Sequence, residues 1–306
     1  MGLENKRDFE MKSDEALRLG DYEVHRAWEG FSSIRQISSG EIMHSRTDPM
    51  EEARQLYVEQ AGLAERLRES SAEPLVLWDV GLGAGANAMA AIECSETAQP
   101  ERPLNIISFE DDLDPLRLAA AHIKFFPYLR ADLIHAIISD SEWRAEHGRV
   151  SWKLFPGDFV TTMNDAPAPD VIFYDMFSPN TSPELWTTAV FRNLFDVCRD
   201  RPTELFTYTC STANRAALLA AGFFVGRGRN AGEKIETTIA LTPAAVRRSA
   251  AKRGLLSSDW LARWGRSSAK FPADIAPNEQ SAFEKMIRGH EQFRNLSGVE
   301  RLSSTT

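Results

Sequence analysis

The stretch from Leu75 to Ile92 limits what this chain can fold into more than any other. A short apolar run, Leu75 to Val80, gives way to glycines at alternate positions, Gly81, Gly83 and Gly85, and then to small, helix-favouring residues. That order predicts a buried strand, a tight turn and the opening of a helix. Glycine has no Cβ and accepts positive φ, so a turn of this kind lets backbone approach a ligand closely. The helix start adds unpaired N–H groups and a positive dipole end, which favour a carboxylate or phosphate. The turn is expected to hold a nucleotide-like cofactor.

The spacing bears on which cofactor. A dinucleotide fingerprint, G-x-G-x-x-G with an acid about 20 positions further on, does not fit. The third glycine comes one position early, and the next strand-terminal acid, Glu110, lies beyond that distance. No G-x-x-x-x-G-K-[ST] phosphate loop occurs. Asp79, an acid inside the strand just before the glycines, matches the pattern of S-adenosylmethionine (AdoMet) methyltransferases. A glycine turn that serves only strand-on-helix packing is the simpler alternative, and the rest of the chain has to decide.

At 306 residues, 43% hydrophobic and 26% charged, the chain has the make-up of a soluble globular protein. No apolar run approaches the ~20 residues that span a bilayer, so no membrane partner is expected. Residues 1–15 are dense in charge and lack a signal-peptide core. Cys94, Cys198 and Cys210 are scattered, with no C-x-x-C spacing. They suggest a reducing compartment and no metal site, with a cytoplasmic location as the default. The net charge of −9 argues against a nucleic-acid partner, but residues 226–270 hold ten Lys/Arg against three Asp/Glu. That basic segment is a candidate footprint for a polyanion on an otherwise acidic body.

Periodicity predicts one or two short strands within Tyr22–His44, then a helix opened by Asp48 as N-cap and Pro49 at its first position. His25 and His44 are candidate acceptor-site groups, with a surface or packing role as the simpler reading of a lone histidine. Beyond the glycine turn come a strand over Leu104–Phe109 ending at Glu110, and helices over Asp112–Tyr128 and Ala131–Ser139. A strand over Val150–Phe155 turns at Pro156-Gly157-Asp158, and a strand over Asp170–Tyr174 ends at Asp175. A helix over Pro183–Cys198, a strand over Glu204–Thr209 and a helix capped by Ser211 follow. Two last strands, Gly222–Arg227 and Ile235–Leu241, read as a hairpin. Strands alternating with helices and closed by a hairpin imply a mostly parallel sheet with one antiparallel strand. The expected fold is α/β, the seven-stranded Rossmann-like plan of class I AdoMet-dependent methyltransferases. Residues 71–242 would form its core, 1–70 an acceptor-side cover, and 243–306 a basic helical extension.

Ligands of open sheets bind beyond the carboxyl ends of the strands, and four strands deliver polar residues to that edge. Glu110 would accept hydrogen bonds from the ribose hydroxyls, and Asp158 from the adenine amino group. Asp79 would orient the glycine loop or hold the methionine ammonium.

The most specific stretch is Asp175-Met-Phe177-Ser-Pro179-Asn-Thr-Ser-Pro-Glu-Leu-Trp186. It resembles the D-[GA]-F-[SA]-P-x-x-N-P-[ED]-[LM]-W motif in the methyltransferase half of the bacterial bifunctional tRNA 5-methylaminomethyl-2-thiouridine biosynthesis protein. His44-Ser45, Glu51-Glu52-Ala53-Arg54, Gly81-x-Gly-x-Gly-x-Asn87 and Phe109-Glu110 resemble the same family. The likeness runs from about Tyr22 to Leu241 and implies a stand-alone member without the oxidase half. It implies that AdoMet is bound by Asp79, Gly81, Gly83, Gly85, Asn87, Glu110 and Asp158. It further implies methylation of the 5-aminomethyl group at the wobble uridine of tRNA, the RNA meeting the basic 226–270 segment. Asp175 would orient the attacking amine and take or relay its proton, while Phe177 and Pro179 shape the acceptor pocket. Met176 stands where the family has Gly or Ala, and Thr181-Ser182 replaces a pair that is usually more polar or basic. Both departures lie at the acceptor mouth.

Competing readings are an aminopropyltransferase resembling spermidine synthase, a methyltransferase of the same fold acting on another amine, and a non-catalytic RNA-binding protein. The Pro183-Glu184-Leu185-Trp186 continuation is foreign to the first. The joint presence of the glycines, Glu110 and Asp175 has no physical reason in the last.

Overall fold

The computed structural model describes residues 17–44, 47–228, 236–249 and 254–294. The expected leader, the hairpin connection Arg229–Glu233 and part of the basic segment lie mostly or wholly outside the described residues. A small antiparallel sheet comes first, made of β1 (Arg18–Leu19), β2 (Tyr22–Arg26) and β3 (Ser32–Gln36). A helical stretch then starts at Pro49, where the Asp48 side chain accepts from the N–H groups of Met50 and Glu51 as the predicted cap. It passes through a π-helical turn, Arg54–Val58, before ending at Gly62.

The main sheet contains β4 (Leu75–Val80), β5 (Leu104–Glu110), β6 (Glu142–Arg144), β7 (Val150–Pro156), β8 (Val171–Tyr174), β9 (Glu204–Thr207), β10 (Phe224–Gly228) and β11 (Thr237–Leu241). Its order is β10-β11-β9-β8-β4-β5-β7-β6. The sheet therefore has eight strands where seven were expected. The extra one, β6, is a three-residue antiparallel edge strand on β7, too short to show a period in the sequence. Strands β7, β5, β4, β8 and β9 are mutually parallel, β11 runs antiparallel to β9, and β10, antiparallel to β11, returns to the direction of the parallel set. The chain leaves β4 for β5 on one side and reaches β8 on the other, which makes β4 the switch point where such sheets open a crevice.

Every residue of β4 is buried, and its side chains alternate between two cores. Leu75 and Leu77 face the helices Pro49–Ala53, Leu63–Arg68 and Ala86–Thr97. Val76, Trp78 and Val80 face the helices Thr188–Cys198 and Thr212–Ala221. The C-terminal segment joins this second core through Trp260, Trp264, Phe283 and Phe293. Gln292 ties it to the sheet. Its Nε2 donates to the carbonyls of Val225 and Leu256, both at 2.9 Å, and its Oε1 accepts from Val225 N at 2.7 Å. One buried amide thus replaces a strand partner along β10.

Replacing Gln292 by Ala removes the partner of Val225 N and of Leu256 O, while Val225 O keeps the bond from Leu256 N. The expected loss is about 1–3 kcal/mol of stability, read from urea denaturation, and a loss below about 0.5 kcal/mol would show that water replaces the amide.

Candidate active site

The turn after β4 follows the glycine pattern. Gly81, Gly83 and Gly85 all have positive φ, at 90°, 52° and 82°. At Gly81 space matters as much as conformation: a Cβ there would stand 2.7 Å from the Asp175 carbonyl oxygen and 3.0 Å from the Met176 sulfur. At Gly83 it would stand 3.2 Å from the Met43 sulfur. A side chain at either position would fill the space between the turn and the walls facing it. That space is a cavity of about 570 Å³, inside the range of ligand pockets.

Glu110 ends β5 beside the turn. Its Oε2 accepts from Gly83 N at 2.9 Å, and its Oε1 from Asp111 N and Asp112 N at 3.1 and 3.2 Å. Burial pushes this carboxyl up to about 8, against the opposing pull of the Gly83 and Asp112 N–H groups. A carboxylate clamped by three N–H groups has a fixed direction, and Glu110 lines the cavity.

Asp175 follows β8. Its Oδ1 accepts from the Tyr57 hydroxyl at 2.7 Å and its Oδ2 from Asn87 Nδ2 at 2.9 Å. Asn87 belongs to the first turn of the helix Ala86–Thr97, and Tyr57 to the π-helical turn. Such turns recur at functional sites because one extra residue re-aims the side chains around it. Burial, reinforced by the Asp175 charge, raises the Tyr57 hydroxyl well above its ordinary value, so Tyr57 is a donor to Asp175 and not a base.

The chain after Asp175 is pinned from below. The Tyr208 hydroxyl donates to Met176 O at 3.1 Å, the Trp186 indole to Phe177 O at 2.8 Å, and the Tyr174 hydroxyl to Leu185 O at 2.5 Å. On its outer side the Glu41 carboxylate accepts from Ser178 N at 2.9 Å, from Ser178 Oγ at 2.8 Å and from the Thr181 hydroxyl.

The cavity brings together Gly81, Gly83, Asn87, Glu110, Asp175 and Phe177. Other expected residues lie elsewhere. Gly85 faces away, toward Leu116, Leu129 and Ile134. Asp158 is exposed and caps the helix Phe159–Thr162 by accepting from Val160 N at 3.2 Å. Pro179 is half-buried and is not a lining residue. Asp79 is wholly buried, because strand alternation points it under the turn toward the helix Ala86–Thr97. Its Oδ2 accepts from Ser108 Oγ at 2.8 Å, and Ser108 Oγ accepts from the Trp152 indole at 2.9 Å. Its Oδ1 has no hydrogen-bond partner among the described residues, and Asp79 is not among the residues lining the cavity.

Lining residues outside the expected set include Tyr208, Glu41 and Glu52. Tyr208 and Glu41 belong to stretches without a motif. His44, a candidate acceptor-site group, lines the cavity with its Nδ1 3.3 Å from Glu52. Among the described residues the lining includes four carboxylates, Glu41, Glu52, Glu110 and Asp175, and no Lys or Arg. No group of three His, Cys, Asp or Glu side chains gathers as metal ligands among the described residues, and no described helix is long and apolar enough to cross a membrane.

A strand–glycine turn–helix at the switch point of this sheet, with an acid ending the next strand, defines a class I AdoMet-dependent methyltransferase. Residues 123–243 match the model of a family described as S-adenosyl-L-methionine-dependent methyltransferase. Curated relatives include the tRNA 5-methylaminomethyl-2-thiouridine biosynthesis bifunctional proteins of Ectopseudomonas mendocina, 29% identical over 68% of this chain and 33% of theirs, and of Aeromonas hydrophila, 27% identical over 64% and 32%. The chain is similar to the methyltransferase portions of these proteins, and spans about a third of their length. A crystal structure of MNMC2 from Aquifex aeolicus shares the fold, with a TM-score of 0.64, 22% identity, and coverage of 93% of this chain and 95% of that one.

Burial also raises the Asp79 carboxyl to about 7, with the Asp175 charge adding to the rise. A carboxyl near 3.9 in the unfolded chain and near 7 when folded binds more protons in the native state. Its contribution to stability therefore falls as pH rises from about 4 to about 7. Asp79→Asn removes that slope. The stability of the variant relative to wild type is expected to climb across this window, by at most about 1.4 kcal/mol per pH unit, and to level off above pH 7. Paired urea titrations check this, and a difference independent of pH would mean that Asp79 titrates normally.

Proposed function

We propose that the protein transfers a methyl group from AdoMet to the primary amine of the 5-aminomethyl group on the wobble uridine of tRNA, giving 5-methylaminomethyl- or 5-methylaminomethyl-2-thiouridine. The observation that carries this reading is Asp175, an acid aimed by Tyr57 and Asn87 at the mouth of a cavity whose other wall is the glycine turn. The cavity suits both partners of such a reaction, since a lining that holds Glu41, Glu52 and Asp175 and, among the described residues, no Lys or Arg favours a sulfonium and an ammonium over a phosphate. The names of the curated relatives support tRNA as the acceptor.

When bound, AdoMet supplies an electrophilic methyl group on a positively charged sulfur. The turn at Gly81 and Gly83 leaves room for it against backbone, and Glu110, already fixed by three N–H groups, presents its remaining lone pairs to ribose hydroxyls. Asp79 and Gly85 act beneath, by bracing the turn. Asp158 caps the helix Phe159–Thr162 through Oδ1 outside the cavity lining, and in this reading its Oδ2 meets the adenine amino group where the cofactor extends past Glu110. An amine attacks only when neutral, so a proton must leave it. With Tyr57 and Asn87 each occupying one Asp175 oxygen, the lone pairs that remain accept that proton or hold the N–H that orients the nitrogen. Catalysis is otherwise positioning, with Phe177 and Pro179 bounding the acceptor.

In this reading residues 71–242 are the cofactor core, 1–70 cover the acceptor side, and 243–306 face RNA in the cytoplasm. Part of the basic charge is spent internally: Arg227 pairs with Glu236, and Lys270 with Glu284. Arg247, Arg248, Arg263 and Arg266 remain exposed on helices and are the proposed phosphate contacts.

Bulk tRNA lacking the modification, incubated with methyl-labelled AdoMet, is expected to be labelled at that nucleoside. Asp175→Asn should cut the rate by about 100-fold or more while AdoMet affinity stays within a few-fold. Label on a small amine or a protein, with none on tRNA, would remove the proposed acceptor.

A further inference from the structure

Glu41 lies in the segment Gly40–His44, which folds back along β3. Its carbonyl accepts from Gln36 N at 2.9 Å, and Met43 N donates to Ile34 O at 3.0 Å. The segment is thus fastened to the N-terminal sheet, and it touches both halves of the cavity. Met43 lies over Gly83 on the cofactor side. Glu41 holds Ser178 and Thr181 on the acceptor side through three hydrogen bonds.

The turn it holds has few other ties. Thr181 N and Ser182 N both donate to Ser178 O at 2.9 Å, bonds that shape the turn without fastening it to anything. The pins from Tyr208, Trp186 and Tyr174 reach Met176, Phe177 and Leu185, on either side of it. Among the described residues Glu41 is the one side chain from another element hydrogen-bonded to residues 178–182. Thr181 supplies one of the three donors.

We propose that Glu41 is a positioning residue for the acceptor: by latching Ser178 and Thr181 to the Gly40–His44 segment, it fixes where the amine stands relative to the cofactor side of the cavity. This rests on the methyl-transfer reading above. Losing the latch removes three charge-assisted hydrogen bonds on the acceptor side and frees the turn without dismantling the core.

Two measurements on the full chain test it. In Glu41→Ala the KM for tRNA lacking the modification should rise about tenfold or more, with AdoMet affinity by calorimetry within about twofold of wild type. Glu41→Gln, which keeps one acceptor oxygen, should fall between the two. Hydrogen–deuterium exchange supplies a readout that needs no acceptor. The peptide covering residues 176–185 should exchange about tenfold faster in Glu41→Ala, while the peptide covering 81–87 is unchanged. An unchanged KM, or a parallel loss of AdoMet affinity, would overturn the positioning role, and unchanged exchange would overturn the latch itself. If wild type labels no tRNA but exchange still responds to Glu41→Ala, the methyl-transfer reading has failed and the acceptor role falls with it.

Discussion

The carboxylate of Asp175 is where three pieces of the chain meet, and the site exists because they do. It follows β8, and it receives Tyr57 from the N-terminal helix and Asn87 from the helix that opens after the glycine turn. Each bond is made to a charged acceptor away from bulk water, a setting in which about 1.5–3 kcal/mol apiece is typical. Removing the carboxylate would leave a buried hydroxyl and a buried amide without a partner, so the two helices are held to β8 by the same group that is proposed to meet the amine. Gly81 completes the arrangement, since only a residue without Cβ lets the turn lie against the Asp175 carbonyl.

Electrostatics gives this arrangement its selectivity. An acid-lined cavity repels phosphate, yet the proposed acceptor is a nucleic acid. The two requirements are met by separation: the cavity would take only the cationic arm of a base, and exposed arginines outside it would meet the backbone. The net charge of −9 then describes the body and the cavity and not the surface proposed to face RNA.

Much of this was legible in the sequence. The glycine turn, Glu110 and Asp175 were placed correctly because strand ends in an alternating β/α chain fall at one edge by topology alone. The Asp48 cap and the helix after Ser211 were legible from local chemistry. Asp79 kept two readings, orienting the glycine loop or holding the methionine ammonium, because the sequence shows an acid near glycines but not the phase of the strand, which turns that acid inward. Asp158 reads equally well as a ligand or as a helix cap, and in the structure it caps. Glu41 and Tyr57 act through contacts 137 and 118 residues away in sequence, and the π-helical turn that carries Tyr57 leaves no periodic signature. Strand β6 was missed because a three-residue edge strand depends on its partner and not on its own pattern.

The central claim is that the space between the Gly81–Gly85 turn and Asp175 holds AdoMet, and calorimetric titration tests it most directly. Wild-type protein should bind AdoMet saturably, with a Kd on the order of micromolar, and Gly81→Ala, whose methyl group would collide with the Asp175 carbonyl, should show no heat. Absence of heat with wild type, or heat only with decarboxylated AdoMet, would contradict the account.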